Sequence, residues 1–223
     1  MTSPADHLDI EQLDAIVFDL GGVILNIDYH RTLGAFAQLA GIDDVNHLYG
    51  QSQQTHLFDA YESGQISSAQ FRQGLRSLLT LDEAVADTEL DRAWNAMLLD
   101  LPPARLDKLA QLSQQFRLFL LSNTNAIHKA AFEQHLEDRF ADSLALTRRF
   151  EAVYYSHLVG DRKPNPSIFQ RLVDEQGLVP SRTLFVDDTA GHLRGAEAVG
   201  IYTLHLTGGF TFEALSDNLL SAF

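Results

Sequence analysis

Five short, largely apolar runs limit what this chain can become: Ala15-Ile16-Val17-Phe18, Leu118 to Leu121, Val153 to Tyr155, Thr183 to Val186 and Tyr202 to Leu206. A strand with one wet face alternates polar and apolar residues, so runs without alternation read as strands buried on both faces. Four of the five stop at a small polar or acidic residue, namely Asp19, Ser122, Ser156 and Asp187. Helical patterns lie between them. Leu106, Leu109 and Ala110 recur at helical spacing after Pro102 and Pro103, which suit a first helical turn. Ile168, Phe169, Leu172 and Val173 do the same after Pro166, with a stop expected near Gly177. Strands alternating with helices require right-handed crossovers, so the expected fold class is α/β, a parallel sheet with helices on both faces. In such a sheet the carboxyl ends of the strands converge, bringing Asp19, Ser122 and Asp187 to Thr189 together.

One stretch breaks the alternation. From about Tyr29 to about Leu101 only helical periodicities occur: Leu33, Phe36, Ala37 and Ala40, then Phe71, Leu75, Leu78 and Leu79. Ser67 and Gln70 form a capping-box pattern that starts the second of these helices after Gly64. The expected organisation is a main unit from residues 1–28 and 102–223, with 29–101 as a small helical insertion packed over the strand ends as a lid. A chain of 223 residues fits one main domain with such an insertion. Its net charge of -14 repels phosphate backbones and anionic lipid, so neither nucleic acid nor membrane is an expected partner. With no cysteine, a disulfide scaffold, a thiol nucleophile, thiolate zinc and a cysteine-ligated cluster are excluded, and a reducing, cytoplasmic setting is expected. No apolar run approaches the about 18 residues of a membrane span.

Four segments carry candidate chemistry. Val17-Phe18-Asp19-Leu20-Gly21-Gly22 puts a carboxylate directly after a strand, followed by glycines that allow close backbone approach; alone, it reads first as a turn-capping aspartate. Leu121-Ser122-Asn123-Thr124-Asn125 ends a strand in a hydroxyl and amides able to donate to a phosphoryl oxygen, though such residues commonly cap helices. Gly160-Asp161-Arg162-Lys163-Pro164 places a lysine before a helix, where a lone lysine is normally a solvated charge. Phe185-Val186-Asp187-Asp188 sets two like charges at the end of a buried strand, which repel unless a cation or a cationic side chain compensates them.

In this order the four segments resemble those of the haloacid dehalogenase-like hydrolase superfamily of the small helical cap type, most of whose members are Mg²⁺-dependent phosphatases. The resemblance spans nearly the whole chain and implies a Rossmann-like core. Within the superfamily the chain is similar to bacterial α-D-glucose-1-phosphate phosphatases in Asp19-Leu20-Gly21, in Ser122 to Asn125 with His128 following, in Arg162-Lys163-Pro164 and in the run Tyr61-Glu62-Ser63-Gly64. Carried over by position, the resemblance implies that Asp19 attacks phosphorus to give an aspartyl-phosphate while Ser122 and Lys163 hold the phosphoryl oxygens. Mg²⁺ would be bound by Asp19, the Gly21 carbonyl and Asp188, with Asp187 acting directly or through water. Asn123, His128, Tyr61 and Glu62 are candidate substrate contacts, although an aromatic at helical spacing, as at Phe58 and Tyr61, is more often core. The expected partner is a small phosphorylated metabolite, with a sugar phosphate the expected class. The oligomeric state is not legible.

The sequence departs from the family pattern where a second aspartate, two residues after the nucleophile, protonates the leaving oxygen. Here that position is Gly21. Asp28 or a residue of the insertion is the available substitute, and Asp28 itself reads as a structural or solvated residue. His192, four residues after Asp188, reads as a first-turn helix residue. Two other readings stay open. A metal-independent 2-haloacid dehalogenase shares the aspartate, serine and lysine, but Asp187 and Asp188 would repel its anionic substrate. A catalytically weak, phosphatase-like binding protein is consistent with Gly21.

Overall fold

The computed structural model describes residues 10–42, 56–207 and 211–222, so the expectations for 1–9 and 43–55 lie outside the described residues. All five apolar runs are strands: β1 (Ala15–Phe18), β2 (Arg117–Ser122), β3 (Ala152–Tyr155), β4 (Thr183–Asp187) and β5 (Tyr202–His205). Between β1 and β2 run α1 (Tyr29–Ala40), α2 (His56–Glu62), α3 (Ser68–Leu78), α4 (Asp87–Asn95) and α5 (Pro103–Leu112). α6 (Ala126–Phe140) follows β2, α7 (Ser156–Val159) and α8 (Pro166–Gln176) follow β3, α9 (Ala190–Ala198) follows β4 and α10 (Phe212–Leu220) follows β5. None of the described helices is long and apolar enough to cross a membrane.

The strands form one parallel sheet in the order β3-β2-β1-β4-β5, with Val17 opposite Phe119 on one side and Phe185 on the other. Successive side chains point to opposite faces. Ile16, Phe18, Leu118, Leu120, Leu184 and Val186 pack in one cluster with α5, α6 and α10, while Ala15, Val17, Phe119, Leu121 and Phe185 pack in a second with α8 and α9. Because helices cover both faces, the strand interiors are apolar on both sides and polar residues fall mainly at strand ends, which is why the strands read as apolar runs. The sheet grows from β1 to β2 to β3 and then returns to the far side of β1 with β4. The loops leaving β1 and β4 therefore diverge, opening a crevice at their carboxyl ends.

Gly177 ends α8 in the left-handed conformation (φ 61°), as its position predicts. The capping box also forms, with Ser67 N donating to Gln70 Oε1 (2.9 Å) and Gln70 N to Ser67 Oγ (3.3 Å). Among the described residues, α1 to α4 build a third cluster around Leu33, Phe36, Phe58, Phe71, Leu75 and Trp94. Phe58 is thus core. One apolar assignment fails: Leu78 is exposed, and the buried stripe of α3 runs Phe71, Leu75, Leu79, one residue every four. Two backbone connections zip together where this segment leaves and rejoins the sheet unit, through Asp28 N to Met97 O (2.9 Å), Leu99 N to Asn26 O (3.0 Å) and Asn26 N to Asp100 O (3.0 Å).

Candidate active site

The reactive side chains stand where buried strands end. Asp19 follows β1, its N–H donating to Val186 O (2.9 Å), Ser122 closes β2, Asp187 closes β4 and Asp188 comes next. Lys163 enters from the loop between α7 and α8, fully buried, its Nζ donating to Asp19 Oδ1 (2.7 Å) and Asp187 Oδ2 (2.6 Å). A buried ammonium persists only when paired and hydrogen-bonded, so the surface-lysine reading of Lys163 is excluded. Asn123 aims the loop: its Nδ2 donates to Lys163 O (2.9 Å) and its Oδ1 accepts from Lys163 N (3.0 Å). The Asn123 side chain is thereby committed to the lysine backbone.

The charges divide unevenly. Burial pulls the Lys163 ammonium down, but Asp187 and Asp19 outweigh it and leave its pKa above the ordinary value. Burial likewise opposes ionisation of Asp187, yet Lys163 and His192 hold it at about 2. Asp188 fares differently. Burial, then repulsion by Asp19 and Asp187, lifts it to about 7, with Lys163 compensating only in part. Asp19 is raised by burial and by Asp187 against the pull of Lys163. Asp19, Asp187 and Asp188 can bring one oxygen each within 4.8 Å of the others. Three carboxylates against one lysine is a donor set short of positive charge, and hard oxygen ligands suit a divalent cation such as Mg²⁺. The residues present therefore fit the metal that the sequence implies.

Asp187 already serves several donors. Lys163 Nζ and Thr189 N (2.8 Å to Oδ1) bond it, and His192 Nδ1 lies 3.1 and 3.0 Å from its two oxygens. His192 does sit in the first turn of α9, as its spacing predicts, but its ring turns back over the helix start onto the strand-end carboxylate. Side chains on a helix lean toward its N-terminus, and that lean was the available signal. The glycines also divide their work. A Cβ on Gly22 would lie 2.0 Å from Asp188 Oδ2, and Gly22 has φ +78°, so this position needs glycine twice over. Gly21 has no positive φ, and a Cβ there would meet only the Ile27 side chain, at 3.0 Å.

Asp19, Gly21, Ser122, Asn123, Asp188 and His192 line one pocket together with Tyr29, Glu62, His128 and Arg162. Glu62 reaches it from the end of α2, paired with Arg162 (3.0 Å), which also bonds Asp59. His128 lies at the pocket edge. Its Nδ1 accepts from Asn125 Nδ2 (3.2 Å), its Nε2–H donates to Trp94 O (3.2 Å), and its ring stacks on Trp94 at 4.3 Å. Burial, opposed by the Trp94 carbonyl, pulls its pKa down to about 4, so the ring is neutral. Tyr61 packs in the third cluster behind the pocket wall, its hydroxyl accepting from Ile127 N (3.2 Å) and sharing a hydrogen with Ser68 Oγ (2.8 Å). Asp28 caps α1 by accepting from His30 N (3.0 Å), the structural role its position predicts. Sequence reasoning missed Tyr29 and the linking role of Arg162, because neither lies at a strand end.

A family model described as haloacid dehalogenase-like hydrolase matches residues 13–200. The D-ribitol-5-phosphate phosphatase of Bacteroides thetaiotaomicron is 30% identical over 87% of this chain and 92% of its own length. The phosphoglycolate phosphatase of Aliivibrio fischeri is 26% identical over 93% of this chain and 90% of its own. Among solved structures, a mutant haloacid dehalogenase family enzyme of B. thetaiotaomicron in complex with magnesium and inorganic phosphate matches with a TM-score of 0.80 and 31% identity, covering 88% of this chain and 95% of that one.

Proposed function

The chain belongs to the haloacid dehalogenase-like hydrolases and is a phosphatase of that family, and from this premise we propose that it hydrolyses a small phosphomonoester with Mg²⁺ through an aspartyl-phosphate on Asp19. One arrangement carries the reading: Lys163 Nζ bridges Asp19 and Asp187 at 2.7 and 2.6 Å, and Asp188 joins them in a cluster of three carboxylates at the strand ends. Asp19 forms the new O–P bond as the ester P–O bond breaks, and Lys163 and Ser122 hold the phosphoryl oxygens. Water then cleaves the aspartyl-phosphate, releasing phosphate and restoring Asp19. Asp19, Asp188 and the Gly21 carbonyl would hold Mg²⁺, with Asp187 reaching it through water because its oxygens already serve Lys163, Thr189 and His192. Bound there, the ion supplies positive charge to the transferring group.

We take residues 29–101 as the cap and a sugar or polyol phosphate as the substrate class. The first is supported by the separate hydrophobic cluster of α1 to α4. The second is supported by the ribitol-phosphate specificity in the relative's name and by a pocket wall where Tyr29, Glu62 and Arg162 can exchange hydrogen bonds with hydroxyls. The dehalogenase reading fits less well, because a carboxylate substrate would enter beside Asp188 without a cation to receive it. The deciding experiment assays phosphate release from sugar, polyol and carboxylic-acid phosphates with Mg²⁺ and with chelator, alongside chloride release from 2-chloropropionate. Mg²⁺-dependent release from a sugar or polyol phosphate is expected; metal-independent chloride release would overturn the reading.

A further inference from the structure

In-line displacement places the leaving oxygen on the far side of phosphorus from Asp19. The strand-end residues surround the nucleophile and the equatorial oxygens, so the leaving oxygen faces the wall supplied by the inserted helices. Gly21 offers no side chain there. Asp28 is committed to His30 N and faces Arg31 (3.7 Å). The one N–H of the neutral His128 ring goes to Trp94 O, and His192 faces Asp187. Glu62 faces Arg162 and, as a carboxylate, accepts rather than donates.

Tyr29 has the missing property. It is the first residue of α1, placed there by the Asp28 cap, and it lines the same pocket as Asp19, Gly21 and Asp188. Of the described pocket-lining side chains that come from the inserted helices, Tyr29, Glu62, Met97 and Leu98, it is the one that carries a hydroxyl. A phenol hydroxyl can donate where the neighbouring Glu62 carboxylate can only accept.

We propose that Tyr29 is a further catalytic residue, its hydroxyl donating a hydrogen bond to the bridging ester oxygen as the P–O bond breaks, in place of the carboxylic acid absent at Gly21. The inference rests on the phosphatase reading above. The hydrogen bond strengthens as negative charge gathers on the departing oxygen, the phenol proton passes to that oxygen as the P–O bond breaks, and the phenolate regains a hydrogen from the water that cleaves the aspartyl-phosphate.

The test is a leaving-group series, alkyl phosphates through substituted phenyl phosphates to p-nitrophenyl phosphate, with wild type and Tyr29→Phe in Mg²⁺. A donor to developing charge is worth about 10- to 100-fold. Tyr29→Phe should therefore lose at least about 10-fold in kcat/KM with alkyl phosphates and under about 3-fold with p-nitrophenyl phosphate, whose leaving group needs no help. The slope of log kcat/KM against leaving-group pKa should steepen, a change that a merely structural role would not produce. An unchanged slope, or equal losses across the series, would overturn the role of Tyr29 and leave the phosphatase reading standing. A wild type that turns over no phosphate ester would overturn both.

Discussion

Two regions meet in one pocket and are held by different means. The strand-end region is fixed by the sheet: Asp19, Ser122 and Asp187 ride on backbone hydrogen bonds between parallel strands, and Lys163 ties Asp19 to Asp187 within 2.7 Å. The wall from the inserted helices is fixed by its own aromatic cluster, Phe58, Phe71 and Trp94, and meets the sheet unit through the stack of Trp94 on His128, the packing of Ile127 and polar contacts such as Arg162 with Glu62 and Tyr61 with Ile127. The first arrangement can hold atoms to fractions of an ångström, as phosphoryl transfer requires. The second, Tyr29 apart, can change its pocket-facing residues without moving the strand-end groups. Charge balance marks the same division, since the strand-end carboxylates are short of positive charge while Glu62 has Arg162.

The largest expected effect tests whether the nucleophile lies in the strand-end region. Asp19→Asn is nearly isosteric and should leave circular dichroism unchanged while lowering turnover on the order of 10⁴-fold or more, the scale of losing a covalent nucleophile. A loss below about tenfold would place the nucleophile elsewhere. Next in size is Lys163→Met. It removes the cation shared by Asp19 and Asp187 and should cost at least about 10²-fold in kcat/KM. It should also lower chemical stability in chelator by about 3–5 kcal/mol, the usual cost of breaking a buried pair. Wild-type kinetics with the variant would show that the lysine only neutralises charge in the folded state.

How much of this division was legible in sequence follows from where each residue sits. Asp19, Ser122 and Asp187 each end a doubly buried strand, so the change from apolar to polar marks them without knowledge of any contact. Lys163 was visible only as part of an ordered set of segments, because nothing local distinguishes a buried lysine from a solvated one. Tyr29 and His192 sit in first helical turns, where many side chains serve as packing or caps, and only the three-dimensional path of the chain aims them at the carboxylates. Tyr61 and Glu62 were both taken from the run that resembles the family's, yet consecutive helix residues diverge by about 100°. Glu62 faces the pocket and Tyr61 the aromatic cluster.

Intermediate effects probe the unbalanced charge. Asp188 has a folded pKa of about 7 against an ordinary 3.8. Between those values the folded protein binds more protons than the unfolded chain, so stability in chelator should fall as pH rises from about 4 to 7. Asp187, held at about 2, acts in the opposite sense: its contribution is complete above the ordinary value of 3.8 and is lost as pH falls through about 2. Mg²⁺ should therefore raise Tm more at pH 7.5 than at pH 5, measured by scanning fluorimetry. An equal rise at both would show that the added ion is not meeting Asp188. His192→Ala withdraws a hydrogen bond from Asp187 without removing a carboxylate, and should weaken Mg²⁺ activation by about 10- to 100-fold, read as the Mg²⁺ concentration for half-maximal rate.

The smallest effects should separate neighbours within the inserted helices. Glu62 lines the pocket and Tyr61 does not, although they are adjacent in sequence and both are buried. Glu62→Gln keeps the shape and removes the charge, so it should change relative rates among sugar and polyol phosphates severalfold while altering p-nitrophenyl phosphate turnover little. Tyr61→Phe keeps the ring stacked 4.2 Å from Phe71 but removes the hydroxyl that serves Ile127 N and Ser68 Oγ. That change should cost about 1 kcal/mol in urea unfolding, the net worth of a typical hydrogen bond, with every substrate affected alike and by less than about 3-fold. The signs of the two results matter more than their sizes. If Tyr61→Phe altered substrate ranking and Glu62→Gln did not, α2 would have to turn during catalysis so that its present inward face meets the substrate, and the wall would be a moving part rather than a fixed one.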